Sequence, residues 1–336
     1  MSYYWPMRKP ILWIVATSGL IGLIAALYQF APDDRSFAHC RLENNAVWAS
    51  LDWTSQPVDS VAVKQLAQET SSRKIRYFYP FTTYVKQDGF SKAYVHAAEF
   101  VREFKKHNTE TKLVAWVGVP LKREGLFGID GWVDLSDAEQ RKTITVFVTQ
   151  LMDEANFDGV HINVETVLDG NAGYLLFLEE VANALGPNIM ISIAGESWKP
   201  SGIPPSPADH RWGPEYYREV AQRVDQISAM TYDSQMIDPE SYHLWMSEQV
   251  VGIGNSIAGL DTELLIGLSI SREETFTHHP AIESVDNALI GICNGIQALG
   301  DDAHPISGAA MYASWEATDA DWEIWDRWLA TSKPSQ

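Results

Sequence analysis

The chain has 336 residues, 46% of them hydrophobic and 11% aromatic, with a formal net charge of −19. That length holds one large domain or two small ones, and the apolar share suffices for a substantial core. The acidity and the lack of a basic stripe argue against nucleic acid as a partner and leave a neutral or cationic one.

The first feature in chain order is an apolar run. Ile11–Ala31 carries no charge over 21 residues, follows Arg8 and Lys9, and precedes Asp33 and Asp34. Its length suits a membrane-spanning helix, and the positive flank keeps residues 1–10 in the cytoplasm. The expectation is an uncleaved signal anchor over 11–31, a linker over 32–45 and an extracytoplasmic domain over 46–332. A cleaved secretory signal is the alternative. Cys40 and Cys293 are the two cysteines. Outside the cytoplasm they can pair, because the regions that hold them are neighbours in a closed barrel; two separate small apolar residues are the other reading.

From residue 46 onward, apolar runs alternate with amphipathic segments of helical length. The predicted strands are Val47–Trp53, Lys74–Phe81, Lys112–Pro120, Gly159–Thr166, Ile189–Glu196, Gln226–Asp233, Leu264–Ser271 and Gly308–Glu316. Helices are predicted at Val58–Glu69, Lys92–Lys106, Asp137–Ala155, Ala172–Leu185, Pro214–Arg223, Pro239–Ile257, Ala281–Leu299 and Asp319–Ala330. Ser136 and Asp238 supply helix starts. Eight such pairs favour an α/β fold, the (β/α)8 TIM barrel, over an open doubly wound sheet, since no glycine-rich first turn is present.

In such a barrel the chemistry lies at the C-terminal strand ends. Trp53, Trp116, Trp132, Trp198, Trp212 and Trp315 fall near that face, and aromatic rings stack on sugars. The fourth strand is the most informative. His161, Asn163 and Glu165 recur at every second position and share one face, while Val160, Ile162 and Val164 share the other. A polar row inside a core is costly unless it is fully bonded or does chemistry. Glu165, near the strand end, is the candidate general acid, whose pKa a barrel mouth can raise by burial or by a neighbouring charge.

Asp158-Gly159-Val160-His161-Ile162-Asn163-Val164-Glu165 resembles the DGxDxDxE signature of family 18 glycoside hydrolases, the chitinase-like enzymes. Met230-Thr231-Tyr232-Asp233 resembles that family's Met-x-Tyr-Asp element on strand six, and Trp315 matches the tryptophan that floors the catalytic subsite. The resemblance implies retaining catalysis in which the substrate's own 2-acetamido oxygen attacks the anomeric carbon. It implies Glu165 as acid and base, Asn163 as the group orienting the acetamido, and Tyr232 bonding the acetamido carbonyl. Asp233, Trp116, His161 and Met230 complete the candidate substrate contacts, with Asp158 and Glu196 as supporting carboxylates.

Two departures narrow the resemblance. His161 and Asn163 stand where the family has Asp, and an Asn cannot take a proton; the Asn-x-Glu pair is similar to that of family 85 endo-β-N-acetylglucosaminidases. Strand three lacks the family's Ser-x-Gly-Gly. No insertion separates strands seven and eight, so a shallow, open site is expected.

The leading expectation is therefore a membrane-anchored glycosidase acting on N-acetylglucosamine-containing glycans, with no metal or cofactor. The alternatives are a non-catalytic sugar-binding barrel and a retaining glycosidase with its nucleophile at Glu273 or Glu274. His278 and His279 read as a loop without metal spacing. Trp322, Trp325 and Trp328 read as packing of the last helix, and Arg102, Lys105 and Lys106 as a solvated face.

Overall fold

The structure, a computed structural model, describes residues 37, 40, 42–125, 128–203, 209–300 and 306–331. The expected membrane span Ile11–Ala31 lies outside the described residues. Among the described residues, no helix is long and apolar enough to cross a membrane.

Eight parallel strands close into a barrel: β1 (Asn45–Ala49), β2 (Ile75–Lys86), β3 (Lys112–Pro120), β4 (Gly159–Glu165), β5 (Met190–Gly195), β6 (Gln226–Ala229), β7 (Glu263–Ser269) and β8 (Ile306–Tyr312). Each pairs with its sequence neighbour, and β1 closes the ring by pairing with both β8 and β2. The helices are α1 (Ser60–Ser72), α2 (Ala97–Lys105), α3 (Ala138–Ala155), α4 (Ala172–Leu185), α5 (Pro214–Ala221), α6 (Pro239–Ser256), α7 (Val285–Leu299) and α8 (Asp319–Thr331). The predicted (β/α)8 architecture is the observed one.

Local chemistry explains the boundaries. Asp238 accepts the Ser241 N–H at 2.9 Å and Pro239 follows it, a pre-organised start for α6. The start of α3 falls one residue later than predicted: Asp137, not Ser136, caps it by accepting the Glu139 N–H at 2.9 Å. That helix buries Ile144, Phe147, Val148, Leu151 and Met152 at helical spacing, each worth about 1.5–3 kcal/mol on full burial. It ends at Asn156 in the left-handed conformation, φ +58°.

Four strand ends differ from expectation by four residues or more, that of β8 falling at Tyr312. β1 stops at Ala49, and Asp52–Ser55 forms a short helix that turns Trp53 outward onto Phe100, 5.7 Å between ring centres. β2 runs past Pro80 and folds back onto Gly89–Phe90 as a hairpin above the barrel rim. β6 ends at Ala229, so Met230–Asp233 leaves the strand as a loop.

The side chains sort by the two-residue period. Val160, Ile162 and Val164 enter the core between strands and helices. The barrel interior holds a separate cluster that includes Ala46, Trp48, Tyr77, Tyr79, Val114 and Trp116. Cys40 and Cys293 are joined in a disulfide, Cα–Cα 5.0 Å, that ties the start of the barrel domain to α7 across 253 residues. In the chain-entropy account a loop that long contributes roughly 5 kcal/mol.

Candidate active site

The β4 row climbs the barrel axis from buried to exposed. His161 is fully buried, Asn163 half-buried and Glu165 exposed. His161 Nε2 accepts the Trp48 indole N–H at 2.9 Å, and its Nδ1 lies 2.8 Å from Ser192 Oγ. An accepting Nε2 makes Nδ1 the donor, and the Ser192 hydroxyl in turn donates to Gln226 Oε1 at 2.8 Å. Burial pushes the His161 imidazole down to about 3, so it is neutral. Both ring nitrogens are occupied, which leaves His161 none for a sugar. The expectation that it contacts substrate is corrected: it is an interior support.

One step higher, Asn163 Nδ2 donates to Glu165 Oε1 at 2.6 Å. Asn163 Oδ1 is buried and without a hydrogen-bond partner. A buried acceptor left unpaired costs about 1–3 kcal/mol, so this oxygen is poised for a donor brought by a ligand. Of the two ways a barrel mouth could raise the Glu165 carboxyl, burial is not met: the side chain is exposed at the strand end.

A cleft of about 770 Å³ opens over this pair. Its lining includes Trp48, Trp116, Asn163, Glu165, Glu196, Met230, Tyr232, Asp233, Trp245 and Tyr312. Tyr232 stacks on Tyr312 at 5.5 Å and 16°. Gly267 lets the Tyr232 loop approach, since a Cβ there would meet Ala229 O at 2.4 Å and the Tyr232 ring at 3.4 Å. Burial, then the charge of Glu165, raises both phenols, Tyr232 well above its ordinary value, so both stay protonated donors.

Beneath the Met230–Asp233 loop lies a charged cluster. Glu283 accepts the N–H groups of Asp233 and Ser234 at 2.8 and 3.0 Å and the Ser234 hydroxyl at 2.9 Å. His278 Nδ1 faces Glu283 at 3.1 Å and Asp233 at 3.4 Å, while Nε2 donates to Ser271 O at 3.1 Å. Burial alone would lower this imidazole, but the hydrogen bonds with Asp233, Glu283 and Ser271 outweigh it and raise it to about 10. His278 is thus a buried cation that holds the Asp233 loop, not the roleless loop residue expected. The three donor groups lie within 4.8 Å of one another, close enough to hold a metal ion. Both Glu283 oxygens and both imidazole nitrogens already have partners, which fits an internal ion cluster better than a metal centre.

Of the predicted site residues, Glu165, Asn163, Tyr232, Asp233, Trp116, Met230 and Glu196 meet at the cleft. Asp158 does not. At the opposite end of β4 it accepts the Leu113 N–H at 2.7 Å and pairs with Lys105 Nζ at 2.5 Å, so Lys105 is a clamp rather than a solvated charge. Trp315 lies three residues beyond β8, 46% exposed in a 3-10 turn, 6.4 Å from the Trp116 ring and 5.7 Å from Tyr312, while Tyr312 ends the strand and lines the cleft. Trp212 is buried with its N–H on Val167 O, and Trp198 packs on Gly252. Only Trp116 and Trp132 of the six expected tryptophans line the mouth. Glu273 and Glu274 are exposed and outside the cleft lining, so the cleft geometry gives the covalent-nucleophile reading no support.

No family model matches this sequence, and no curated protein sequence matches it. Solved structures do. The spore cortex-lytic enzyme SleL of Bacillus cereus matches with a TM-score of 0.57 at 12% identity, covering 85% of this chain and 74% of that one. A family 18 chitinase of Cycas revoluta in complex with (GlcNAc)4 matches at 0.53 and 13%, covering 87% and 99%. A family 18 N-acetylglucosaminidase of Paenibacillus barengoltzii matches at 0.51 and 13%, covering 86% and 99%. At these identities the likeness is one of fold alone, the (β/α)8 barrel that the strand order shows.

Proposed function

We propose that this chain is a glycosidase that hydrolyses N-acetylglucosamine-containing glycans with retention, using the substrate's own acetamido group. The observation that carries the reading is the Asn163–Glu165 pair: an orphaned amide oxygen beside a carboxyl, 2.6 Å between Nδ2 and Oε1, at the floor of an aromatic cleft. Asn163 Oδ1 accepts the acetamido N–H. Tyr232 donates to the acetamido carbonyl and Tyr312 stacks beneath the sugar ring. The aligned carbonyl oxygen attacks C1, the C1–O bond breaks, and Glu165 gives its proton to the departing oxygen. Water then adds to C1, returns the carbonyl, and gives its proton back to Glu165. Asn163 carries no charge, so it orients the acetamido group without neutralising the cation that forms.

The domain is held outside the cytoplasm by the apolar segment 11–31. The Cys40–Cys293 bridge supports an oxidising compartment. Residues 33–336 should release sugars from chitooligosaccharides or other 2-acetamido glycans and spare glucans that bear a 2-hydroxyl. Glu165→Gln should lower kcat at least about 10²–10⁴-fold, the usual worth of general acid–base catalysis. Unchanged turnover in Glu165→Gln would sink the mechanism. Glycan affinity without hydrolysis would instead establish a sugar-binding barrel.

A further inference from the structure

Phe276 is 87% exposed and Ile237 79%, the two most exposed large apolar side chains among the described residues. One apolar side chain alone on a surface is ordinary, but two set together call for a partner. Ile237 lies in the loop after β6 and Phe276 in the loop after β7. The Gln235 N–H donates to Thr277 O at 3.0 Å and stitches the two loops together. Ile237 stands two residues past that bond on one loop, and Phe276 one residue before it on the other. Gln235, Met236 and Thr277 line the cleft of about 770 Å³. The apolar pair therefore stands on the rim of the cleft at its β6–β7 edge, and a ligand longer than the cleft meets it there.

The loops are braced in that position. Thr275 Oγ1 accepts the N–H groups of Thr277 and His278 at 3.2 and 3.0 Å, and the Thr275 N–H donates to His278 O at 3.0 Å. Phe276 is the tip of this closed turn, so it cannot fold inward without breaking it. The turn's last residue is the buried His278, whose imidazole faces Asp233 after β6, Glu283 before α7 and Ser271 O after β7. Asp233 and Gln235 both hold the left-handed conformation, φ +57° and +63°. Side chains adopt it at a cost, and such positions collect where loops clamp a ligand.

Continuity with the cleft and the neighbouring charges select the occupant. Glu273 and Glu274 precede Phe276 and Asp238 follows Ile237, so an anionic surface meets like charge here. A pyranose of the chain that fills the cleft offers an uncharged C–H face to an aromatic ring. Resting on the glycosidase reading, we propose that Phe276 and Ile237 form an outlying sugar platform, on which a glycan too long for the cleft rests beyond its β6–β7 edge. A sugar bound there lies away from Glu165 and is held equally before and during the reaction. The platform therefore selects long glycans through KM rather than through kcat.

The test compares the trimer and the hexamer of N-acetylglucosamine as substrates of the full chain. The hexamer should have the higher kcat/KM, through a lower KM. Phe276→Ala should lower the hexamer-to-trimer ratio of kcat/KM roughly three- to tenfold, the worth of one aromatic contact, and Phe276→Trp should restore it. Ile237→Ser should lower the ratio by less. Equal kcat/KM at both lengths, or an unchanged ratio in Phe276→Ala, overturns the platform and leaves the glycosidase reading intact. The same fractional loss at both lengths also overturns it, since that is the signature of a disturbed loop. Vesicle binding or self-association of the full chain that Phe276→Ala weakens overturns it too, in favour of a lipid surface or a second copy. If nothing is cut, the glycosidase reading fails and calorimetry with the hexamer decides: weaker binding by Phe276→Ala upholds the platform, and unchanged or absent binding overturns it.

Discussion

His161 and His278 occupy similarly buried places, 0% and 3% exposed, yet one is neutral and the other charged. His161 lies in the barrel interior between an indole N–H and a hydroxyl. One of its nitrogens must accept, so the ring is neutral. His278 lies under the β6 loop between two carboxyl groups and a backbone carbonyl. Both its nitrogens must donate, so the ring is charged. Burial disfavours the charged form in both places, and the partners decide whether that cost is met. The interior histidine carries the floor beneath Asn163; the loop histidine fixes the approach of Asp233 to the cleft.

The strongest way to break this contrast is to remove a carboxyl from the charged cluster. Glu283→Ala leaves the imidazolium with Asp233 alone, and strips the Asp233 and Ser234 N–H groups of their acceptor. Breaking one side of a buried pair costs about 3–5 kcal/mol, and urea denaturation should show a loss of that size. The freed loop should also raise KM, because Tyr232 and Asp233 belong to it. A loss under about 1 kcal/mol would mean that His278 is not a buried cation.

Stability against pH sharpens the contrast with smaller effects of opposite sign. His161 is unprotonated when folded and gains a proton on unfolding below its ordinary value of 6.5. Its contribution is complete above 6.5 and is lost as pH falls toward about 3, at about 1.4 kcal/mol per unit at most. The folded state of His278 holds its proton more tightly than the unfolded chain. Its contribution is complete below 6.5 and is lost as pH rises toward about 10. His161→Phe should therefore flatten the acid limb of a stability profile and His278→Asn the alkaline limb. An unchanged acid slope in His161→Phe would contradict the neutral assignment.

These environments were unequally legible in the sequence. The two-residue period places His161, Asn163 and Glu165 on one face and Val160, Ile162 and Val164 on the other, and both hold. A period gives a face but not a depth, so His161 could not be told from a residue two positions nearer the mouth. The second strand is predicted to end at Phe81, yet β2 continues to Lys86 and carries Phe81 and Tyr84 to the rim. The resemblance implies Trp315 at the end of strand eight, whereas the chain leaves β8 at Tyr312. The His278 cluster joins Asp233 after β6 to Glu283 before α7, a meeting that only the closed barrel produces.

The smallest test asks whether the neutral interior acts as one network. Tyr79 donates to Gln226 Oε1 at 2.5 Å, lies 3.0 Å from Ser228 Oγ, and stacks on His161 at 4.1 Å and 6°. Tyr79→Phe keeps the ring and removes only the hydroxyl, and should cost about 1 kcal/mol. Ser192→Ala removes the link from His161 to the same Gln226 oxygen. If the polar chain acts as a unit, the two substitutions together differ from their sum by about 0.5 kcal/mol or more in a double-mutant cycle. Strict additivity would make His161 a locally satisfied group. Coupling would make the floor under Asn163 a single braced element, rigid enough to hold an orphaned amide oxygen in place for a ligand.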